Sequence, residues 1–180
     1  MIRSLDILDR FSVKILRFLS GEPLSNFYQR EISRKTGVSI GKTNQVLRAL
    51  EREGIVLNEK RGKVNLYRYN LHNPASRQLK ITFTLLELGD LVQRLRDISR
   101  RVVLYGSCAE GQDTSQSDVD LLIVTDDREK ATKAVNWARR TLDRRVSPLV
   151  LTLAEFSHLK SSDQPLFRQI NKGIVLWREE

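Results

Sequence analysis

The sequence predicts an α+β protein built as three helices plus a β-hairpin, a long linker helix, and a C-terminal α/β unit with a mixed sheet. Three observations predict it. Residues 5–54 space their apolar side chains by threes and fours, and two β-branched and aromatic runs follow at residues 55–58 and 64–69. Residues 74–100 carry an uninterrupted helical seam. Beyond residue 101, apolar strand-like runs alternate with amphipathic helical stretches. The resulting boundaries are 1–73, 74–100 and 101–180.

In the first part, Leu5, Leu8, Phe11, Ile15, Leu16 and Leu19 form one helical stripe, and Gly21 and Pro23 stop it. A second helix is expected from Phe27-Tyr28-Gln29-Arg30-Glu31-Ile32 to Gly37. Ser39 caps a third, which carries Val46, Leu47 and Leu50 inward and ends at Gly54. The turn Thr36-Gly37-Val38-Ser39 between them has the glycine that a helix-turn-helix needs. Residues 59–63, Glu-Lys-Arg-Gly-Lys, form the basic tip of the hairpin. Three helices followed by a basic hairpin resemble the winged-helix DNA-binding domains, over residues 5–72. The resemblance implies that the third helix enters the major groove of double-stranded DNA and the hairpin lies over the backbone. By position, Ser39, Lys42, Thr43, Asn44, Gln45 and Arg48 would meet DNA, and Lys60, Arg61 and Lys63 would hold phosphates. Winged helices also serve as protein-interaction modules, and the basic tip favours DNA. Gly41-Lys42-Thr43 looks like the end of a P-loop, but Thr36 stands where its first glycine belongs and no strand precedes it.

The linker helix has two apolar stripes. Ile81, Thr84, Leu88, Leu91, Leu95 and Ile98 make a heptad seam, with Leu79, Phe83, Leu86 and Val92 beside it. Packing within one chain explains one stripe; the second leads to the expectation of a homodimer through this helix.

In the C-terminal part, the run Val102-Val103-Leu104-Tyr105 breaks at Gly106-Ser107, and Asp118 and Asp120 flank Val119 at the start of a second run, Leu121 to Val124. Residues two apart in a strand share a face, so the two aspartates project together. Two adjacent carboxylates repel, and a divalent cation with oxygen ligands relieves them. Gly106-Ser107, at a strand-to-helix turn, offers backbone N–H groups and a hydroxyl to a phosphate. Gly106-Ser107, ten residues, then Asp118-Val119-Asp120 resembles the signature of the nucleotidyltransferase superfamily typified by DNA polymerase beta. Ala109, Gly111, Ser117 and Leu121 match the fuller pattern of the small prokaryotic members, and the likeness runs from Arg101 to Trp177. It implies a Mg²⁺- or Mn²⁺-bound nucleoside triphosphate held at Gly106 and Ser107. Asp118 and Asp120 would be catalytic metal ligands, and a nucleoside monophosphate would pass to an acceptor hydroxyl on a protein or nucleic acid.

Two departures stand out. The family places a third carboxylate on a neighbouring strand, and the stretch Arg145 to Thr152, RVSPLVLT, has no acid; Asp143 precedes it and Glu155 follows. Glu110 stands where the small enzymes commonly have arginine. Cys108 reads as a small loop residue, and His72 and His158 lack ligand-spaced partners. After the motif, Arg128 to Leu142 is an amphipathic helix, Val146 to Leu153 a strand, Leu166 to Ile170 helical, and Gly173 to Trp177 a last strand.

Of the formal net charge of +9, most lies early: residues 1–74 hold 14 Lys and Arg against 7 Asp and Glu. A basic face on a small domain suits a phosphate backbone. One cysteine rules out an internal disulfide framework, and no apolar run spans a bilayer, so a cytoplasmic protein without membrane contact is expected. Two functions remain open on the sequence. One is a nucleotidyltransferase with a DNA-binding winged helix. The other is a DNA-binding transcriptional regulator whose C-terminal domain binds nucleotide without catalysis. An adaptor that has lost both chemistries is a more remote third.

Overall fold

The computed structural model describes residues 9–142 and 144–179, which form two compact units, 1–80 and 81–180. Leu5 and Leu8, placed on the first helical stripe, lie outside the described residues, as does Asp143.

In the first unit, α1 (Arg10–Gly21) starts at Asp9, whose carboxylate accepts from the amides of Phe11 and Ser12 at 3.0 and 2.7 Å. Ile15, Leu16 and Leu19 are fully buried. The next segment departs from expectation. Phe27–Tyr28 is a short strand, β1, pairing with Leu66 and Tyr67, and the helix α2 begins only at Gln29 and runs to Thr36. The aromatic pair fits a pleated edge better than a helix start, and the Tyr28 amide donates to the Glu31 carboxylate at 2.8 Å, closing the helix end behind it. Gly37, at φ +67°, makes the left-handed turn into α3 (Ile40–Arg52). The hairpin is longer than expected: β2 (Val56–Arg61) and β3 (Val64–Tyr69) pair along their whole length, leaving Gly62-Lys63 as the tip. With β1 they form a three-stranded antiparallel sheet in the order β1-β3-β2. This is a winged helix.

The linker is two helices, α4 (Pro74–Glu87) and α5 (Gly89–Arg96), meeting at Leu88. Leu88 still donates to the Thr84 carbonyl at 3.0 Å, so the bonding pattern carries on and the irregularity falls just before Gly89, a weak helix former. Leu88, Leu91 and Leu95 are buried in the core of the second unit. Ile98 packs against the same core, and Ile81 and Thr84 are buried as well, so the heptad seam is taken up within the chain, and Leu86, 74% exposed, is the large apolar linker residue left facing outward.

The second unit is a four-stranded mixed sheet. β4 (Arg101–Tyr105) is antiparallel to β5 (Val119–Val124) and to β7 (Ile174–Arg178), and β5 is parallel to β6 (Val146–Leu151). The four-residue helix α6 (Ser107–Glu110) follows β4 directly. One sheet face, with Val102, Leu104, Val119, Leu121 and Ile123, packs on α5 and α7 (Arg128–Thr141). The other, with Val103, Tyr105, Leu122 and Val124, packs on α8 (Leu153–Ser162) and α9 (Gln164–Asn171). Each fully buried leucine in these layers contributes about 1.5–3 kcal/mol. The helix α8 was not foreseen; its apolar residues show no clear stripe. The Thr152-x-x-Glu155 capping box at its start was the available signal: the Thr152 amide donates to Glu155 at 2.8 Å, and the Glu155 amide donates to the Thr152 hydroxyl at 3.2 Å.

Candidate nucleotide–metal site and nucleic-acid interface

Strand alternation places Asp120 on the α8–α9 face of the sheet, opposite Tyr105 across the β4–β5 pair. Gly106 then turns the chain with φ +70° and ψ −157°, a conformation open in practice to glycine alone. Absence of a side chain matters a second time: a Cβ on Gly106 would stand 2.6 Å from Asp120 Oδ2. The Gly106 turn and the Asp120 carboxylate therefore lie in close approach. Ser107 opens α6 beside them, half-buried, and Gly111, φ +65°, closes it.

Asp118 and Asp120 are both partly exposed, 35% for the Asp118 side chain. Burial and the Asp118 charge together push the Asp120 carboxyl above its ordinary range. Two convergent, mutually repelling carboxylates suit a hard divalent cation that takes its remaining ligands from water and phosphate oxygens, as Mg²⁺ does. The donor set fits the implied metal, with two protein ligands. Arg145 Nε lies 3.6 Å from Asp118 Oδ2 on the opposite flank from Gly106.

The neighbouring strand explains the missing acid. Asp120 is in register with Ser147 and Leu122 with Leu149 on β6. The position beside Asp120 is thus a hydroxyl. Glu155 does not substitute for it. It follows the far end of β6, roughly 13 Å or more along the strands from Asp120, where it caps α8 and pairs with Arg128. Among the described residues there is no cluster of three or more His, Cys, Asp or Glu side chains able to hold a metal.

A buried network that the sequence reading missed holds the loop between α6 and β5. Asp113, 1% exposed, accepts from Arg144 Nη2 at 2.7 Å; the same nitrogen lies 3.1 Å from Cys108 Sγ. Burial and the Asp113 charge push the Cys108 thiol up to about 11, so it stays protonated and donates to the Asp118 carbonyl at 3.3 Å. Cys108, expected as a small loop residue, instead lies buried in α6 as a structural residue, and Arg144 ties α6 to the loop before β5. No spacing rule pairs residues 31 apart in the chain. Glu110, by contrast, is exposed.

In the winged helix, Asn44, Gln45 and Arg48 line an open groove with Gly41, Glu51 and Arg52, on the side of α3 away from buried Val46, Leu47 and Leu50. Ser39 is the exposed cap of α3, 3.4 Å from the Lys42 amide. Lys42 sits with its ammonium 3.0 Å from Asp9 and over the Phe11 ring. Thr43 requires correction: it is fully buried and its hydroxyl lies 3.3 Å from the Val38 carbonyl, so it packs the helix-turn-helix and does not face a duplex. Its short, β-branched side chain falls on the inner stripe with Val46 and Leu47. Lys60, Arg61 and Lys63 are all exposed at the wing, with Arg61 also 2.7 Å from Glu59.

Comparison with known proteins agrees with both halves. The family described as polymerase beta, nucleotidyltransferase, matches residues 87–180. The family described as winged helix-turn-helix DNA-binding matches residues 8–56. Searches of curated proteins and of solved structures found no match. No described helix is long and apolar enough to cross a membrane.

Proposed function

The chain belongs to the polymerase beta nucleotidyltransferase family, and from that premise we propose that its C-terminal unit binds a Mg²⁺–nucleoside triphosphate and transfers the nucleoside monophosphate to an acceptor hydroxyl. The observation that supports this is the approach of Gly106 to Asp120, 2.6 Å from a notional Cβ to Oδ2, which sets the glycine turn against that carboxylate. Asp118 and Asp120 would hold the divalent cation, which would neutralise charge on the phosphate oxygens. The amides at the start of α6 and the Ser107 hydroxyl orient the triphosphate tail. Asp120 must be ionised to bind. The acceptor oxygen bonds to the α-phosphorus, the bond to the bridging oxygen breaks, pyrophosphate leaves with that electron pair, and the hydroxyl proton passes to solvent. Ser147 offers no base for it. The winged helix binds double-stranded DNA through Asn44, Gln45 and Arg48, with Lys60, Arg61 and Lys63 on phosphates.

Ser147 beside Asp120 favours a second reading, a DNA-binding transcriptional regulator that senses nucleotide without transferring it. Incubation with α-labelled triphosphates, Mg²⁺ or Mn²⁺, and candidate acceptors separates the two. Label transfer that disappears in Asp118→Ala/Asp120→Ala supports the enzyme; metal-dependent binding with no transfer supports the sensor.

A further inference from the structure

The sheet of the second unit brings two arginines together at the end away from Gly106. Arg101 opens β4 and stands directly across from Arg178 on β7 and from Val124 on β5. The neighbours Val102 and Trp177 pack on the α5–α7 side. Alternation therefore turns Arg101 and Arg178 together to the α8–α9 face, in one row with Val124. Like charges directly opposite on adjacent strands repel. The carboxylates at this end are engaged elsewhere: Arg100 takes Asp126 and Glu179 at 3.3 and 3.4 Å. Among the described residues no ion pair includes Arg101 or Arg178. Arg101 Nε is buried and has no hydrogen-bond partner among them.

The two side chains line a cleft of about 210 Å³ with Val124, Leu153 and Phe156. The Arg101 guanidinium lies over the Phe156 ring, 5.6 Å from its centroid. The ring answers one face of its charge and leaves the N–H edge to another partner. Apolar walls strengthen a charge-assisted bond made between them. A buried donor without an acceptor is costly, and two unpaired guanidiniums in one row match the two charges of a phosphate group, whose oxygens suit their planar N–H forks. A carboxylate brings half that charge. The volume is below about 300 Å³, the lower end for drug-sized ligands, so the cleft takes a phosphate group and not a whole nucleotide. It is also separate from the Gly106–Ser107 turn, which follows the other end of β4, roughly 13 Å along the strand.

We propose that Arg101 and Arg178 form a second anion site in this unit, which binds inorganic phosphate or the phosphate group of a small phosphomonoester. No bond is made or broken there. Phosphate bound between the two guanidiniums bridges the ends of β4 and β7 and removes their repulsion, so it stabilises the second unit. The site does not depend on the nucleotidyltransfer reading.

Calorimetric titration of the full chain with inorganic phosphate, in a chloride buffer without divalent metal, tests the site. Arg101→Gln and Arg178→Gln should each weaken binding about tenfold, as loss of a hydrogen bond to a charged group does. Phosphate should raise the melting temperature of the wild type and leave that of Arg101→Gln/Arg178→Gln in place. Without phosphate, Arg178→Gln should melt no lower than the wild type, because it removes a like-charged neighbour; a lower value would make the arginine a structural residue and count against the site. Titration with glycerol phosphate separates the sources: tighter binding than inorganic phosphate assigns an ester, weaker binding the free ion, and both keep the site. Phosphate affinity indifferent to the arginine variants, no binding at millimolar phosphate, or succinate bound as tightly overturns the proposal. So does phosphate binding abolished by Lys60→Ala/Arg61→Ala/Lys63→Ala, since that places the ion on the wing. Glu180 lies outside the described residues; binding that appears only in Glu180→Gln gives the arginines to that carboxylate and overturns the proposal too.

Discussion

Gly106 shows how much one residue's lack of a side chain decides. Its backbone lies where L side chains rarely go, and the space a Cβ needs is filled by Asp120 Oδ2. Gly106→Ala should destabilise the fold by about 1–3 kcal/mol in urea denaturation and abolish Mg²⁺–ATP binding by calorimetry. Asp113 is a second such residue. Its carboxylate, 1% exposed, sits on Arg144, so Asp113→Ala should cost about 3–5 kcal/mol by leaving a guanidinium in the interior without its counter-charge. Asp9 carries a pH signature. Hydrogen bonding to the Ser12 amide, then to Lys42, lowers its carboxyl to about 2. A depressed acid contributes stability above its unfolded pKa, and that contribution is lost as pH falls through the folded value. Asp9→Ala should therefore cost about 1 kcal/mol at neutral pH, as caps do, and the difference should shrink to nothing between the ordinary aspartate range and about pH 2.

The elements show which parts of a local pattern survive packing. The third helix, its serine cap and its glycine stop follow from the spacing of Val46, Leu47 and Leu50, all buried as expected. Phe27 and Tyr28 went to a strand because a partner, β3, lay beside them; that partner is 38 or more positions later in the chain and no local window contains it. The wing extends to Arg61 because β2 and β3 pair to the last residue before Gly62. Changing Lys60, Arg61 and Lys63 to alanine together should lower duplex affinity uniformly across sequences and reduce the salt slope by about 2–3. Arg48→Ala should instead relax sequence discrimination by about 1–3 kcal/mol at one position in a competition assay.

At the scale of the molecule, two compact units share one chain, 1–80 and 81–180, each with buried leucine and isoleucine of its own. Ligands should act on them separately. Mg²⁺–ATP at about a hundred times its dissociation constant should stabilise the second unit by about 2.7 kcal/mol, raising one calorimetric transition and leaving the other in place. A duplex should do the reverse. A single transition shifted equally by both ligands would show instead that the units unfold as one.

Residue types and spacing by themselves determined the winged helix and the mixed sheet, and singled out Gly106, Ser107, Asp118 and Asp120. These depend on periodicity and on short-range geometry, where neighbours in sequence are neighbours in space. Tertiary structure alone decided that Ser147 stands beside Asp120, that Glu155 lies at the other end of the sheet, that Thr43 is buried, and that Arg144 binds Asp113 and Cys108. Each of these depends on register or packing between distant segments. A parallel strand's register is set by its partner and by the helices on both faces, and nothing in eight consecutive residues states it.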